Sequence, residues 1–239
     1  MSAIPLGLLG GGLAVGGHYL NKGPLTTATP NPESAVHSEQ ALFNALDKYV
    51  KREAPDNPIT DIVYKQPSAE VMKDASKAFD KEAIQFAGAG IDELGRPVVQ
   101  FNNKAPAPLL AHELGHVAFG QTPFGSKVQD TRRAMSRNPA LRRSLYAASL
   151  LVPGAAAALT PGDEDLTASV GLSLLLDSPA LIDEFEANRR SLSLMKDAGV
   201  KMTNRDRARM AGSLLSYLGR PLALAASGNL AGNLLDENV

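Results

Sequence analysis

The sequence predicts an α+β protein that is mainly α-helical, with a small sheet confined to its first half. Three observations lead there. Ala, Gly and Leu are abundant while aromatics make up only 5% and tryptophan is absent, a composition suited to close-packed helices rather than to a β-sandwich. Short apolar runs bounded by Gly, Pro, Asn and Asp fall between residues 59 and 103, as strands would. Beyond them, apolar residues recur at helical spacing or in long Ala/Leu runs. At 239 residues the chain is long enough for one large domain with appendages. Its 24 basic and 25 acidic residues leave a net charge of -1, so there is no global electrostatic footprint for nucleic acid and none is expected as a partner. With no cysteine, disulfides and thiolate ligands are excluded, which fits a reducing compartment, and any metal must be held by histidine and carboxylate.

Residues 1 to 17, "MSAIPLGLLGGGLAVGG", carry no charged side chain, yet six are glycine and the run is short for a hydrocarbon core of roughly 30 Å. It also lacks the basic start of a secretory signal. It reads either as a flexible apolar tail or as a membrane-inserting or partner-docking arm, and with the linker "NKGPLTTATPNPES" it makes an appendage over residues 1–37. Regular structure is expected from Ser38, where Ala41, Leu42, Ala45, Leu46 and Tyr49 share a helical face that "APDNP" terminates. "ITDIVYKQ" reads as a short strand, and Ser68 as the cap of a second amphipathic helix. "EAIQFAGAGIDELGRPVVQFNN" reads as a strand pair around a glycine-rich connection, with Val98, Val99 and Phe101 on the second strand.

Helices follow. "LLAHELGHVAFG" comes after the breaker "APAP", and a connector bearing Lys127, Arg132, Arg133, Arg137, Arg142 and Arg143 comes after it. Those arginines suit a solvated helix face, or a site for anionic headgroups or phosphates. The apolar segment 144–182 holds two runs joined by the acidic turn "GDED". It reads either as a membrane hairpin with its basic ends on the cytoplasmic side or as two buried core helices, the first being short and interrupted by Pro153 and Gly154. A charged helix, "DEFEANRRSLSLMKDAG", completes a domain over 38–200, and residues 201–239 form a helical pair broken at Arg220 and Pro221.

The chemistry lies in H-E-x-x-H. Four residues apart on one helix, His112 and His116 can reach a common ion, and Glu113 projects beside them toward a metal-bound water. Zinc lowers the pKa of such a water to roughly 7, and an adjacent carboxylate can take its proton as general base. A catalytic zinc needs a third protein ligand. The two remaining histidines, His18 in the tail and His37 in the linker, are unpromising, and no histidine follows shortly downstream, so a carboxylate on a later helix is expected. "DEFEANRRS" is the best source. Glu184 and Asn188 share a face there, Glu186 points elsewhere, and Asp183 sits at the helix start, where it favours the N-terminal dipole.

HELGH followed far downstream by E-F-E-A-N-R-R resembles the gluzincin arrangement of membrane-associated neutral zinc metallopeptidases and of HtpX-type and CAAX-prenyl-protease-type peptidases. The resemblance covers roughly residues 97 to 195. It implies a zincin-like core, with the HExxH helix, a small sheet with an edge strand, and a glutamate-bearing helix. It implies a membrane-associated metallopeptidase that uses Zn2+ to cut peptide or protein substrates. Carried over by position, His112, His116 and Glu184 are the ligands and Glu113 the general base. Asn188 falls where the prenyl-protease-like group has Asp; it can hydrogen-bond a ligand but supplies no charge. "RPVVQFNN" is expected either as an edge strand that binds substrate backbone by strand addition or as a plain core strand. Tyr146, Tyr217, Arg189 and Arg190 are candidates for stabilising an oxyanion. A reading from a different class is a membrane-inserting or assembly protein, such as a phage virion protein delivered into the host envelope, built on a zincin-like core with weak or no proteolytic activity. The glycine-rich start and the Ala/Leu-rich hairpins suit it, and a peptidoglycan cross-bridge would suit it as substrate.

Overall fold

The computed structural model describes residues 32–56, 62–70, 72–73, 87–92, 95–102, 105–138 and 163–204, with scattered positions from 140 to 151 and from 206 to 223. The apolar N-terminal arm, most of the run from Ser144 to Pro161 and the end of the C-terminal pair lie outside them. The described residues are mostly helical, with one three-stranded mixed sheet. The chain divides into two compact units, one of residues 22–127 and 183–207, the other containing 128–182 and the segment from 208 onward. The first unit holds both the HELGH segment and the glutamate-bearing segment that starts at Asp183.

Helix α1 (Pro32–Glu53) begins before Ser38, so part of the expected linker, His37 included, is helical. Its inner face is Leu42, Ala45, Leu46, Tyr49 and Val50, all buried, and the spacing of three and four residues repeats as an amphipathic helix requires. Strand β1 (Val63–Lys65) lies parallel to β3 (Pro97–Phe101), and β2 (Ala87–Ile91) lies antiparallel to it, giving the order β1-β3-β2. One open alternative is decided and one expectation is corrected here. "RPVVQFNN" supplies the middle strand, not an edge, because a parallel partner from residues 63–65 occupies its other side. The glycine-rich "AGAG" is itself strand β2 rather than a connection. The turn lies further on, closed by Asp92 N–H to Arg96 O (3.0 Å), Gly95 N–H to Asp92 O (3.1 Å) and Arg96 N–H to Asp92 Oδ1 (2.9 Å). Gly95 there has φ +79, a conformation that glycine adopts without steric cost.

Helix α2 (Ala107–Gly120) carries HELGH. Pro106 and Pro108 suit its start, since the first helical N–H groups have no intrahelical acceptor and proline offers none. Leu110, Ala111, Leu114, Val117 and Ala118 bury the helix against α1 and the sheet, in one core with Leu46, Val50 and Val99. Each fully buried leucine contributes about 1.5–3 kcal/mol relative to exposure. Thr122 ends α2 and begins α3 (Pro123–Arg137): its hydroxyl donates to Phe119 O (2.8 Å) and accepts from Gly125 N–H (3.0 Å).

Helix α4 (Asp163–Asp197) is longer than expected. It begins within the "GDED" segment and continues through Pro179, so Asp183 is a mid-helix residue and not a helix start. It ends in a Schellman motif, with Val200 N–H to Met195 O (2.9 Å), Gly199 N–H to Lys196 O (3.1 Å) and Gly199 at φ +69. Leu194 and Met195 join the core beside Leu114. Arg190 is buried, pairs with Glu186, and lies 4.7 Å from the centre of the Phe119 ring, while its Nε has no hydrogen-bond partner. No helix among the described residues is long and apolar enough to cross a membrane.

Helices α2 and α4 meet at Gly115. A Cβ placed there would lie 2.2 Å from the carbonyl oxygen of Ala187, so only hydrogen fits. Gly115→Ala is therefore expected to lower the melting temperature: overpacking costs about 1–3 kcal/mol, which a gain of about 1 kcal/mol in helix propensity does not cancel. Melting followed by circular dichroism checks this, and a Tm equal to or above that of the parent protein would contradict the close approach.

Candidate metal centre

On α2 the side chains of His112 and His116 project from one face, with ring centroids 4.8 Å apart and planes at 83°. Opposite them α4 presents Glu184, only 3% exposed. Glu184 Oε2 lies 3.3 Å from His112 Nε2, and Oε1 lies 3.7 Å from His116 Nε2. One ligand atom from each of the three residues falls within 4.8 Å of the others. Ligand atoms about 2.0–2.1 Å from a tetrahedral ion sit about 3.3–3.4 Å apart, so the trio is close to the spacing that a single small cation imposes.

The outer nitrogens of both rings are occupied. His112 Nδ1 is 2.9 Å from Asn188 Oδ1, and His116 Nδ1 is 3.1 Å from Asp183 Oδ1. An amide or carboxylate oxygen can only accept, so Asn188 and Asp183 favour a proton on each Nδ1, and with that tautomer each Nε2 lone pair is available to an ion shared with Glu184. This is the tautomer that a metal-binding imidazole needs. The donor set of two imidazoles and a carboxylate fits a zinc-type ion with a position left open.

Glu113 neighbours the trio on α2. Its Oε2 accepts the backbone N–H of Ala89 on β2 (2.8 Å), so the edge strand of the sheet, among the described residues, orients this carboxylate. Burial pushes the Glu113 pKa up, against the pull of His116 and His112 and the Ala89 amide, while Glu184 adds to the rise. Burial pulls the His116 pKa down but is outweighed by the hydrogen bond and charge of Asp183, with Glu184 and Glu113 helping, so the net direction is up.

All five residues singled out in the sequence, His112, Glu113, His116, Glu184 and Asn188, come together in one unit. Asp183 and the amide of Ala89 were not among them. A signal for Asp183 exists: it heads the series 183, 187, 190, 194, a buried helical stripe in which an acid must face a polar partner. Of the residues weighed for an oxyanion, Arg189 and Arg190 both pair with Glu186, Tyr217 belongs to the other unit, and the Tyr146 side chain lies outside the described residues. Glu186 thus points elsewhere, as its place on the helix suggests. Compared with known proteins, the chain matches no family, no curated protein and no solved structure.

The raised pKa values carry a consequence for the metal-free protein. Glu113 and His116 hold their protons more tightly in the fold than at their ordinary values of 4.5 and 6.5. The stability from this is fully present below the ordinary value and is lost as pH rises through the raised one. With a chelator present, the urea midpoint should therefore fall from mildly acidic to mildly alkaline pH, and fall less in Glu113→Gln. A midpoint with the same pH dependence in both proteins would contradict the shift at Glu113.

Proposed function

We propose that the protein is a zinc-dependent metallopeptidase, hydrolysing peptide or peptide-like amide bonds at the centre formed by His112, His116 and Glu184, within a core of zincin type. The observation that carries this is the convergence of two Nε2 atoms and a buried carboxylate while both Nδ1 atoms are engaged elsewhere. Zinc held by such a set lowers the pKa of a coordinated water to about 7 and polarises a scissile carbonyl. Two histidines and a carboxylate also suit ferrous iron. A further carboxylate immediately beside them is what favours hydrolysis, because Glu113 is placed to receive a proton.

The chain's own residues supply the rest. The Ala89 amide holds Glu113 Oε2, which leaves Oε1 to take the proton of the attacking water and pass it to the leaving amine. In the metal-free protein burial raises the proton affinity of Glu113 above that of a solvated carboxylate. Among the described residues β2 is an edge strand of the sheet, on the side of Glu113, so an extended substrate backbone would have a strand to align with beyond the amide that Ala89 gives to Glu113.

Elemental analysis should find one zinc per chain in the parent protein and much less in His116→Ala and Glu184→Ala. Glu113→Gln should retain the zinc and lose at least about 100-fold in turnover of a mixed peptide substrate, the scale of a general base's contribution. Absence of zinc after reconstitution, or undiminished hydrolysis by Glu113→Gln, would overturn the proposal.

A further inference from the structure

Two acids stand side by side on α4, and the metal reading uses only one of them. Glu184 faces the two Nε2 atoms. Asp183, 3% exposed, is turned to the outer side of His116, with Oδ1 3.1 Å from Nδ1. The corresponding outer partner of His112 is Asn188, whose Oδ1 lies 2.9 Å from Nδ1. A single helix thus supplies one inner carboxylate and the outer hydrogen-bond acceptors of both imidazoles.

The two acceptors differ in kind. The Asn188 amide fixes the ring of His112 by geometry alone, because it is a dipole. Asp183 brings a full negative charge, which makes the imidazole it touches a better electron-pair donor at its far nitrogen. We propose that Asp183 is a positioning residue of the metal centre, giving His116 a charged outer partner where the outer partner of His112 is neutral. The inference rests on the metallopeptidase reading's metal site but not on its chemistry.

Two arguments carry it. The first is burial: an ionised carboxylate removed from water is costly unless a positive or strongly donating group compensates it. At Asp183 the imidazole of His116 stands in that place, and it can be polarised through the ring by a cation on Nε2. The second is the unequal charge of the two outer acceptors. An anion at Asp183 stabilises a cation held on the far nitrogen of His116 more than a neutral amide would, and with an amide at 183 as well as at 188 both imidazoles would lean on dipoles alone. By the same argument the charge can be exchanged between the two outer positions, since each reaches the ion through one imidazole.

Zinc affinity measured by chelator competition at one fixed pH near neutrality tests this on four full-length proteins: the parent, Asp183→Asn, Asn188→Asp and the exchanged double variant. Far-UV circular dichroism accompanies each. Asp183→Asn should bind zinc about 10–100-fold more weakly, the usual cost of losing an outer partner. The double variant should regain most of that loss, which a purely structural role for Asp183 would not produce. Asn188→Asp alone keeps Asp183 in place and should bind more tightly than the parent, so it reads the charge effect even where Asp183→Asn folds poorly. Substituting cobalt and recording its visible absorption provides a second readout, expected to shift in Asp183→Asn and return in the double variant. The inference falls if Asp183→Asn binds like the parent, if the exchange restores nothing, or if Asn188→Asp leaves affinity unchanged. A parent protein that takes up no zinc would overturn the metal centre and this inference together. A parent that binds zinc without cutting peptides would overturn the metallopeptidase reading alone.

Discussion

The arrangement of the site depends on the contact between the backbone of α4 at Ala187 and the bare Cα of Gly115 on α2. Histidine and glutamate side chains are short, and helices that cross with ordinary side chains between them keep their axes 8–10 Å apart. Removing the side chain at the crossing lets the backbones come closer, and the crossing falls between His112 and His116 on one helix and one turn past Glu184 on the other. The ligand spacing is thus a product of packing. Leu110 and Leu114 from one helix and Leu194 and Met195 from the other provide the apolar burial that drives the contact. Arg190 over Phe119 adds a second, chemically different contact further along the same pair, and that contact resists rotation of α4 about its axis.

Packing this tight creates an electrostatic problem. Glu113, Asp183 and Glu184 sit within or beside the core, Asp183 and Glu184 facing the two imidazoles and Glu113 held by the Ala89 amide. Three carboxylates clustered with two imidazoles are a poor arrangement for stability alone, since hydrophobic replacements of similar volume usually serve a fold at least as well. Groups with pKa values displaced by burial and by one another collect where a protein performs chemistry. On the proposed reading a bound cation relieves that imbalance, and the polar residues of α4 indeed face inward at 183, 184 and 191 while Phe185 and Leu192 are exposed.

What could be read in the sequence depends on the range of each signal. The pairing of His112 with His116 depends on i, i+4 geometry, which is local, whereas Glu184 came from a later helix through its resemblance to the gluzincin pattern; the structure brings the three residues together. Glu186 turns instead to Arg189 and Arg190. Sheet order was not legible in the same way. Whether Pro97–Phe101 is central or at an edge depends on whether residues 63–65 reach it, a parallel pairing across more than thirty residues that no local pattern encodes. The strand "AGAG" was hidden by composition, because alternation of alanine with glycine has no hydrophobic contrast. Asp183 was misplaced because the change from the apolar run to the charged "DEFEANRRS" reads as the start of a new helix, whereas one helix runs through it.

The orientation of Glu113 shows how a distant turn can reach a reactive group. The Ala89 N–H can serve Glu113 only because it faces away from β3, and in an antiparallel pair alternate residues face inward and outward. Ala89 is opposite Val99, and that register continues to Ile91 opposite Pro97, where the turn begins. The turn is held by Asp92, which accepts from Arg96 through both backbone and side chain, and by Gly95 in a conformation that other residues rarely adopt. A slip of one residue would turn the Ala89 amide into the sheet and present Gly88 or Gly90 instead, moving the donor by one residue along the strand. The glycines and alanines of β2 lack side chains large enough to fix register by packing, so the Asp92–Arg96 closure has to do it. Through that closure, the ion pair at the end of the hairpin and the carboxylate of Glu113 beside the His112, His116 and Glu184 trio belong to one chain of constraint.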